Sequence, residues 1–324
     1  MALTLSCAFA TSPQSHEHAR VAESLGYTTA YFYDSPALYP EVWVQLARAA
    51  ERTEQIGLGP AVLVPSNRHP MTNAAAIATL VELAGEQRVI VAVGSGFTGR
   101  MAMGQRALRW EFVAQYVRAL QGLLRGEVVT WDGAAIQMLQ SPGMAPRRPI
   151  NVRWLIGAGG PKGIAAAREL GDGVFGTAPI EGFAWSACLV LGTVLEEGED
   201  PGSERALAAA GHAGAVALHF AHEYDLLPPD QLAAWLQAYE EVPEGSRYLA
   251  MHYGHLVHVN EHDAPAVNGE LLVNFGLAQD AAGWRERLAG LEAAGATEVA
   301  YQPAGPDIAR ELSAFADAFA RLPA

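Results

Sequence analysis

Residues 88–100 read RVIVAVGSGFTGR, and the fold turns on what this stretch is. Val89 to Val93 are all apolar and mostly β-branched, the composition of a buried strand. Gly94, Gly96 and Gly99 follow in the spacing G-x-G-x-x-G, the lettering of a dinucleotide-binding turn. Such a turn should leave the first strand of its unit and open a helix directly, with an acidic residue about 20 positions on. Here it follows the fourth strand-like run, and the next clear helical pattern begins several residues later. The alternatives are a tight turn with no ligand, or a βα loop at a barrel mouth whose glycines let a flat ring approach the backbone. The sequence favours the barrel loop.

Outward from this point, the beat is regular. Strand-like runs fall at 4–10, 28–33, 57–64, 88–93, 150–157, 173–178, 187–194 and 297–303, with helical patterns at 15–25, 40–55, 70–84, 106–125, 161–170 and 306–321. Fully apolar strands separated by helices require a parallel sheet covered on both faces. Eight in order predict an α/β fold, a TIM (β/α)8 barrel forming one domain over residues 1–324. Two stretches break the beat and read as insertions at the C-terminal mouth. Residues 127–149 suggest a hairpin and loop; 200–278 carry helical pieces at 202–210 and 229–241 and then RYLAMHYGHLVHVNEHD.

Composition excludes several partners. A formal net charge of −14 with no basic tract argues against nucleic acid, whose affinity rests on Lys and Arg. No apolar run approaches the roughly 20 residues of a membrane span. The opening MALTLSCAFATS lacks a charged leader region and reads as a first strand, which suits a cytoplasmic protein. Cys7 and Cys188 sit in strand-like runs and read as buried free thiols. Every cation but one is an arginine; the only lysine is Lys162.

That lysine stands in GAGGPKG, residues 157–163. Glycines turn the chain after the fifth strand, Pro161 suits the first helical position, and the helix start offers free N–H groups and its positive dipole end to an anion. Lys162 adds a full charge for phosphate. At the end of strand 3, Ser66, Asn67, Arg68 and His69 put four polar groups at the mouth. Asp34 ends strand 2, either as a cap for the next helix or as a mouth residue that orients a ring or moves a proton. His252, His255, His258 and His262 tempt a metal reading, but the alternation in HLVHV separates His255 and His258, and H-E-x-x-H is absent. No metal is expected. No G-x-S-x-G, Walker or C-x-x-C motif occurs either.

With strands 3, 4 and 5 placed, the chain resembles the luciferase-like superfamily, nearest its deazaflavin-using branch, which includes methylene-tetrahydromethanopterin reductase. The likeness rests on PAVLVPSNRHP…AAAIATLVELAGEQRVIVAVGSG (60–96), GAGGPKG (157–163) with ELGDGVF (169–175), and AGATEVAYQPAGPD (294–307). It implies coenzyme F420, an 8-hydroxy-5-deazaflavin, lying across the C-terminal mouth. The coenzyme's phosphate would meet Gly160, Pro161 and Lys162, preceded by Gly157, Ala158 and Gly159. A bulge within Ala61 to Val64, usually with a cis peptide, would back the ring, so Ala61, Val62 and Val64 are cofactor contacts. Gly94, Ser95 and Gly96 would edge the ring, with Asn67 and Thr177 as further contacts. The branch's alcohol and sugar-phosphate dehydrogenases carry a histidine near the end of strand 2 with a tryptophan beyond. Asp34 and Ser35 stand there in this chain, and Trp43 falls inside a helix, which leans the expectation toward reduction.

The expected function is therefore hydride transfer between deazaflavin C5 and a small organic substrate, favouring reduction of C=N or C=C. Asp34 and His69 are the candidate proton donors; Phe97, Arg100 and His252 are candidate substrate contacts. A monooxygenase using flavin mononucleotide (FMN) is the alternative, and a non-catalytic flavin-binding barrel a third. A homodimer is expected from the many apolar helices.

Overall fold

A strand buried on both faces sends alternate side chains to two different cores, and that division builds this molecule. The computed structural model describes residues 3–223 and 229–322; residues 224–228 of the larger expected insertion lie outside the described residues. The first half runs β1 (Thr4–Phe9), α1 (Ser15–Ser24), β2 (Thr29–Phe32), α2 (Val42–Ala50), β3 (Gly57–Pro60), α3 (Pro70–Ala84), β4 (Ile90–Gly94), α4 (Phe97–Met101) and α5 (Trp110–Arg125). A hairpin of β5 (Val129–Trp131) and β6 (Ala134–Ile136) precedes β7 (Arg153–Gly157), α6 (Pro161–Leu170), β8 (Gly173–Gly176), β9 (Ser186–Leu191) and β10 (Thr193–Val194). Then come α7 (Glu204–Glu223), α8 (Pro229–Gln237), α9 (Arg247–His252), α10 (Gly269–Asn274), β11 (Ala278–Gln279), α11 (Ala281–Ala293), β12 (Glu298–Gln302) and α12 (Ile308–Ala320).

Eight strands pair in the order β3-β2-β1-β12-β9-β8-β7-β4, every ladder parallel. The bridges Leu58↔Val89 and Leu63↔Val93 bring β3 back to β4, giving the TIM barrel. Gly59 makes that seam possible, since a Cβ there would lie 1.5 Å from the Ile90 carbonyl oxygen. Tyr31, Ile90, Ala92, Leu155, Phe175, Ala187 and Ala300 point inward as one cluster. Their neighbours Ala30, Phe32, Val91, Val93, Ile156, Val174 and Val299 pack outward under the helices. Each such Val, Ile, Leu or Phe contributes about 1.5–3 kcal/mol on burial. One charge lies at the N-terminal end of this interior: buried Glu298 accepts from Tyr31 Oη at 3.0 Å and Trp185 Nε1 at 2.5 Å.

All eight expected strands form, but two end differently. The run 57–64 leaves strand geometry after Pro60, and 187–194 breaks at Gly192, where φ is +133° and a Cβ would meet the Leu277 carbonyl oxygen at 2.3 Å. Beyond Gly192, β10 pairs in parallel with β11, so these two short strands clasp the base of the larger insertion. The helical piece expected at 202–210 extends to Glu223, the one at 229–241 ends at Gln237, and that at 106–125 begins only at Trp110. A helix also opens at Phe97, directly after Gly96, where the sequence shows no helical pattern for several residues. The barrel topology, not helix spacing, excludes a dinucleotide fold. Among the described residues, no helix is long and apolar enough to cross a membrane, and Cys7 and Cys188 are buried free thiols.

Candidate active site

The end of β3 sets the floor of the mouth. The Ala61–Val62 peptide bond is cis. The chain then rejoins β4, where Leu63 N–H donates to Ala92 O at 2.7 Å and Gly94 N–H to Leu63 O at 3.2 Å. Gly94 and Gly157 are register partners on β4 and β7. A Cβ on Gly94 would approach Val62 Cγ2 to 2.8 Å, and one on Gly157 would approach Val62 Cγ1 to 2.4 Å. The space above both glycines therefore holds the Val62 isopropyl group. Val62 is thus the side chain that the structure sets against the ends of β4 and β7. Gly96, at φ +73°, starts α4, and its missing Cβ makes room for Val64. The Ser95 carbonyl accepts from Leu108 N–H.

Asp34 anchors this floor. Its side chain is 1% exposed, with Arg68 Nη1 at 2.8 Å from Oδ1 and 2.9 Å from Oδ2, and it accepts the Val64 N–H at 3.0 Å. Burial raises its carboxyl above the ordinary value, against the pull of Arg68 and the Val64 N–H. Arg68 also pairs with Glu41, and Asn67 Nδ2 donates to the Asp34 carbonyl. Glu41 caps α2 by accepting from Val44 N–H, so Asp34 is not that cap. With both oxygens engaged, Asp34 is a tether for the β3 bulge rather than a free proton donor. Trp43 is turned away from the mouth, donating from Nε1 to Asn73 on α3.

Two further candidates are engaged elsewhere. His69 Nδ1 accepts the Met71 N–H at 3.1 Å as the cap of α3, and its ring meets Trp131 of the hairpin edge-on. Arg100 donates to Ser66 Oγ and, at 2.6 Å, to the Arg106 carbonyl, lacing the β4 loop to the β3 loop. Sequence spacing gave no sign of Trp131 or Ser66, which lie on other segments, whereas Met71 and Arg106 are near neighbours along the chain.

The opposite rim carries the anion-seeking groups. Ala158 N–H bonds to Phe175 O, and Ala158 itself is buried. Neither Gly159 nor Gly160 needs to be glycine for the protein's sake: φ is not positive at either, and a Cβ would meet nothing within 4 Å. Gly160 is the N-cap of α6 with no side-chain cap, and Pro161 follows. The N–H groups of Lys162 and Gly163 thus have no partner inside the helix. Lys162 is exposed and lies 3.8 Å from Glu111. Lys162, Glu111, Arg109 and Trp110 line a hollow of about 410 Å³. Arg109 was not anticipated, since nothing in the sequence brings the start of α5 beside α6. The open glycines, uncapped helix and two cations fit a phosphate group. Thr177 follows β8 and is exposed.

The larger insertion covers the mouth. Tyr39 Oη donates to His255 O at 2.6 Å and Gln302 Nε2 to Leu256 O at 2.9 Å, while the Leu256 side chain packs into the inner barrel cluster. Residues 253–258 are turns, with Leu256 at φ +58°, so the strand-like alternation of HLVHV does not form a strand. Phe97 stacks on Phe220 of α7 at 5.7 Å, and His252 is buried at the end of α9 with Nδ1 2.7 Å from Tyr248 O. Among the described residues, no three His, Cys, Asp or Glu side chains form a metal site.

Comparison with known proteins agrees with this architecture. The family model described as luciferase-like monooxygenase matches residues 13–298. A 5,10-methylenetetrahydromethanopterin reductase of Archaeoglobus fulgidus is 31% identical over 137 residues, which cover 41% of this chain and only 40% of that relative. The solved coenzyme F420 dependent tetrahydromethanopterin reductase from Methanopyrus kandleri superposes over 100% of both chains, with a TM-score of 0.69 and 18% identity. An F420-dependent secondary alcohol dehydrogenase, solved with an F420-acetone adduct, matches 100% of both chains, with a TM-score of 0.66 and 17% identity. At such identities these structures bear on the fold alone.

Proposed function

The chain belongs to the luciferase-like monooxygenase family, and on that premise we propose that it is an F420-dependent oxidoreductase acting on a small organic substrate, with reduction of C=N or C=C favoured. The observation that carries the reading is the rim at α6: two glycines that neither φ nor packing demands, an uncapped helix start, and the only lysine in the chain. The F420 named for the Methanopyrus reductase and for the secondary alcohol dehydrogenase supports the choice of deazaflavin over other flavins.

Gly159, Gly160, Lys162 and Arg109 would hold the coenzyme phosphate, and Val62 would back the ring. The coenzyme, when bound, supplies a hydride at C5. Asp34 and Arg68 hold the bulge that carries Val62, so the ring's seat is fixed before binding, which is much of what positioning contributes to a barrier. The insertion, latched by Tyr39 and Gln302, excludes water from above. An FMN monooxygenase is the second reading, favoured by the family description.

Titration against F420 and FMN separates them: micromolar or tighter binding of F420 alone supports the proposal, and preference for FMN transfers it to oxygen chemistry. Lys162→Ala should weaken F420 about 3- to 10-fold. That is less than a buried charge-assisted contact would give, because Lys162 is 77% exposed and shared with Glu111. Unchanged affinity would make Lys162 a surface charge only.

A further inference from the structure

Between the β4 loop and the insertion lies a cavity of about 50 Å³, more than one water requires, walled by α4, α7, α8 and α9. Its lining is aromatic, including Phe97, Phe220 and Trp235, and four histidines take part in it. Three of these cluster: ring centroids of His219 and His252 are 6.2 Å apart, His252 and His255 5.7 Å, His219 and His255 6.5 Å. The same segment that supplies His255 continues into Leu256 over the barrel interior, so the cavity adjoins the mouth.

His219 differs from its neighbours in what holds it. Its Nε2 lies 3.2 Å from both oxygens of Asp263, which is 1% exposed. Asp263 also accepts from Trp235 Nε1 at 2.8 Å, Tyr239 Oη at 2.7 Å and Asn260 Nδ2 at 2.7 Å. Burial opposes that charge, yet these donors hold the carboxyl below its ordinary value. A carboxylate at Nε2 fixes the tautomer with hydrogen there, which leaves Nδ1 as an acceptor. That Nδ1 is buried and has no hydrogen-bond partner among the described residues, and a buried polar atom without a partner asks for an explanation.

We propose that this cavity is a binding site for small, flat, uncharged molecules bearing one O–H or N–H, and that His219 Nδ1, oriented by Asp263, accepts that hydrogen. A cation would gain little, because Asp263 is already saturated by four donors, and among the described residues no Lys or Arg lines the cavity to attract an anion. Burial and the nearby His252 also keep His255 well below its usual pKa, so that ring adds no charge at neutral pH.

The test compares phenol with toluene, the same ring without the hydroxyl, on the full chain without coenzyme. Long-range proton–nitrogen NMR of the imidazoles reads the His219 tautomer. Expected are a protonated Nε2 in the free protein, saturable phenol binding that moves the Nδ1 signal, and phenol at least tenfold tighter than toluene. His219→Phe should abolish that preference while leaving F420 affinity unchanged. Equal binding of the two probes, a hydrogen found on Nδ1 of the free protein, or a preference that survives His219→Phe would overturn the proposal. The first two readouts need no variant. Failure of F420 to bind would sink the oxidoreductase reading and leave the phenol result standing.

Discussion

Gly157→Ala puts one methyl where the barrel has no room for it. The added Cβ would sit 2.4 Å from Val62 Cγ1, more than an ångström inside an ordinary carbon–carbon contact. The other Val62 methyl already fills the space left by the missing side chain of Gly94, where a Cβ would lie 2.8 Å from it. Overpacking of this kind costs about 1–3 kcal/mol. Urea unfolding should show that loss as a lower midpoint at unchanged slope. Val62→Ala removes the offending methyl, so Val62→Ala/Gly157→Ala should recover stability, with a coupling of about 0.5–3 kcal/mol in the cycle. Gly160→Ala is the control: its φ of −103° suits any residue and its Cβ meets nothing, so stability should hold while F420 binding weakens. Additive losses in the cycle, or a wild-type midpoint for Gly157→Ala, would refute the wedge as the reason for glycine.

Two other outcomes follow from residues away from the mouth. His212 is fully buried, with Nε2 3.0 Å from Ala209 O, and burial lowers its pKa to about 4 from the model-peptide 6.5. A depressed histidine contributes stability that is complete above about 6.5 and lost as pH falls through 4, in total about 3 kcal/mol. His212→Leu should shrink the stability difference between pH 7 and pH 4 by that order, and identical pH profiles would count against it. A homodimer is proposed across α2 and α3, where Val44 is 55% and Leu83 43% exposed beside a hollow lined by Trp43, Ala47 and Leu80. Val44→Asp should halve the mass seen by light scattering, and a monomeric wild type at micromolar concentration would remove the proposal.

Local signals made much of the fold legible. The runs 90–94 and 154–157 needed no tertiary information, because a strand covered on both faces must be apolar throughout. Pro161 after two glycines located the start of α6 to the residue, since proline fixes φ and lacks the N–H that a first helical turn leaves unpaired. The short helix at Phe97 was invisible at five residues, too brief for a periodic pattern. The break at Gly192 was equally hidden, because it answers to Leu277, 85 positions away in the chain.

What the sequence determined by itself is thus the barrel and the position of the glycine-rich turn that opens α6, both of which are signalled by neighbours along the chain. What only the tertiary structure decided is the role of each polar group at the mouth. Asp34 became a tether because Arg68 and Val64 N–H reach it from another strand end, and Arg100 a link between loops because Ser66 reaches it from the β3 loop. Gly94 and Gly157 serve Val62, and His219 gained its orientation from Asp263 across 44 positions. A hydrogen bond or a methyl contact depends on tenths of an ångström between distant segments, and only the folded chain fixes those distances.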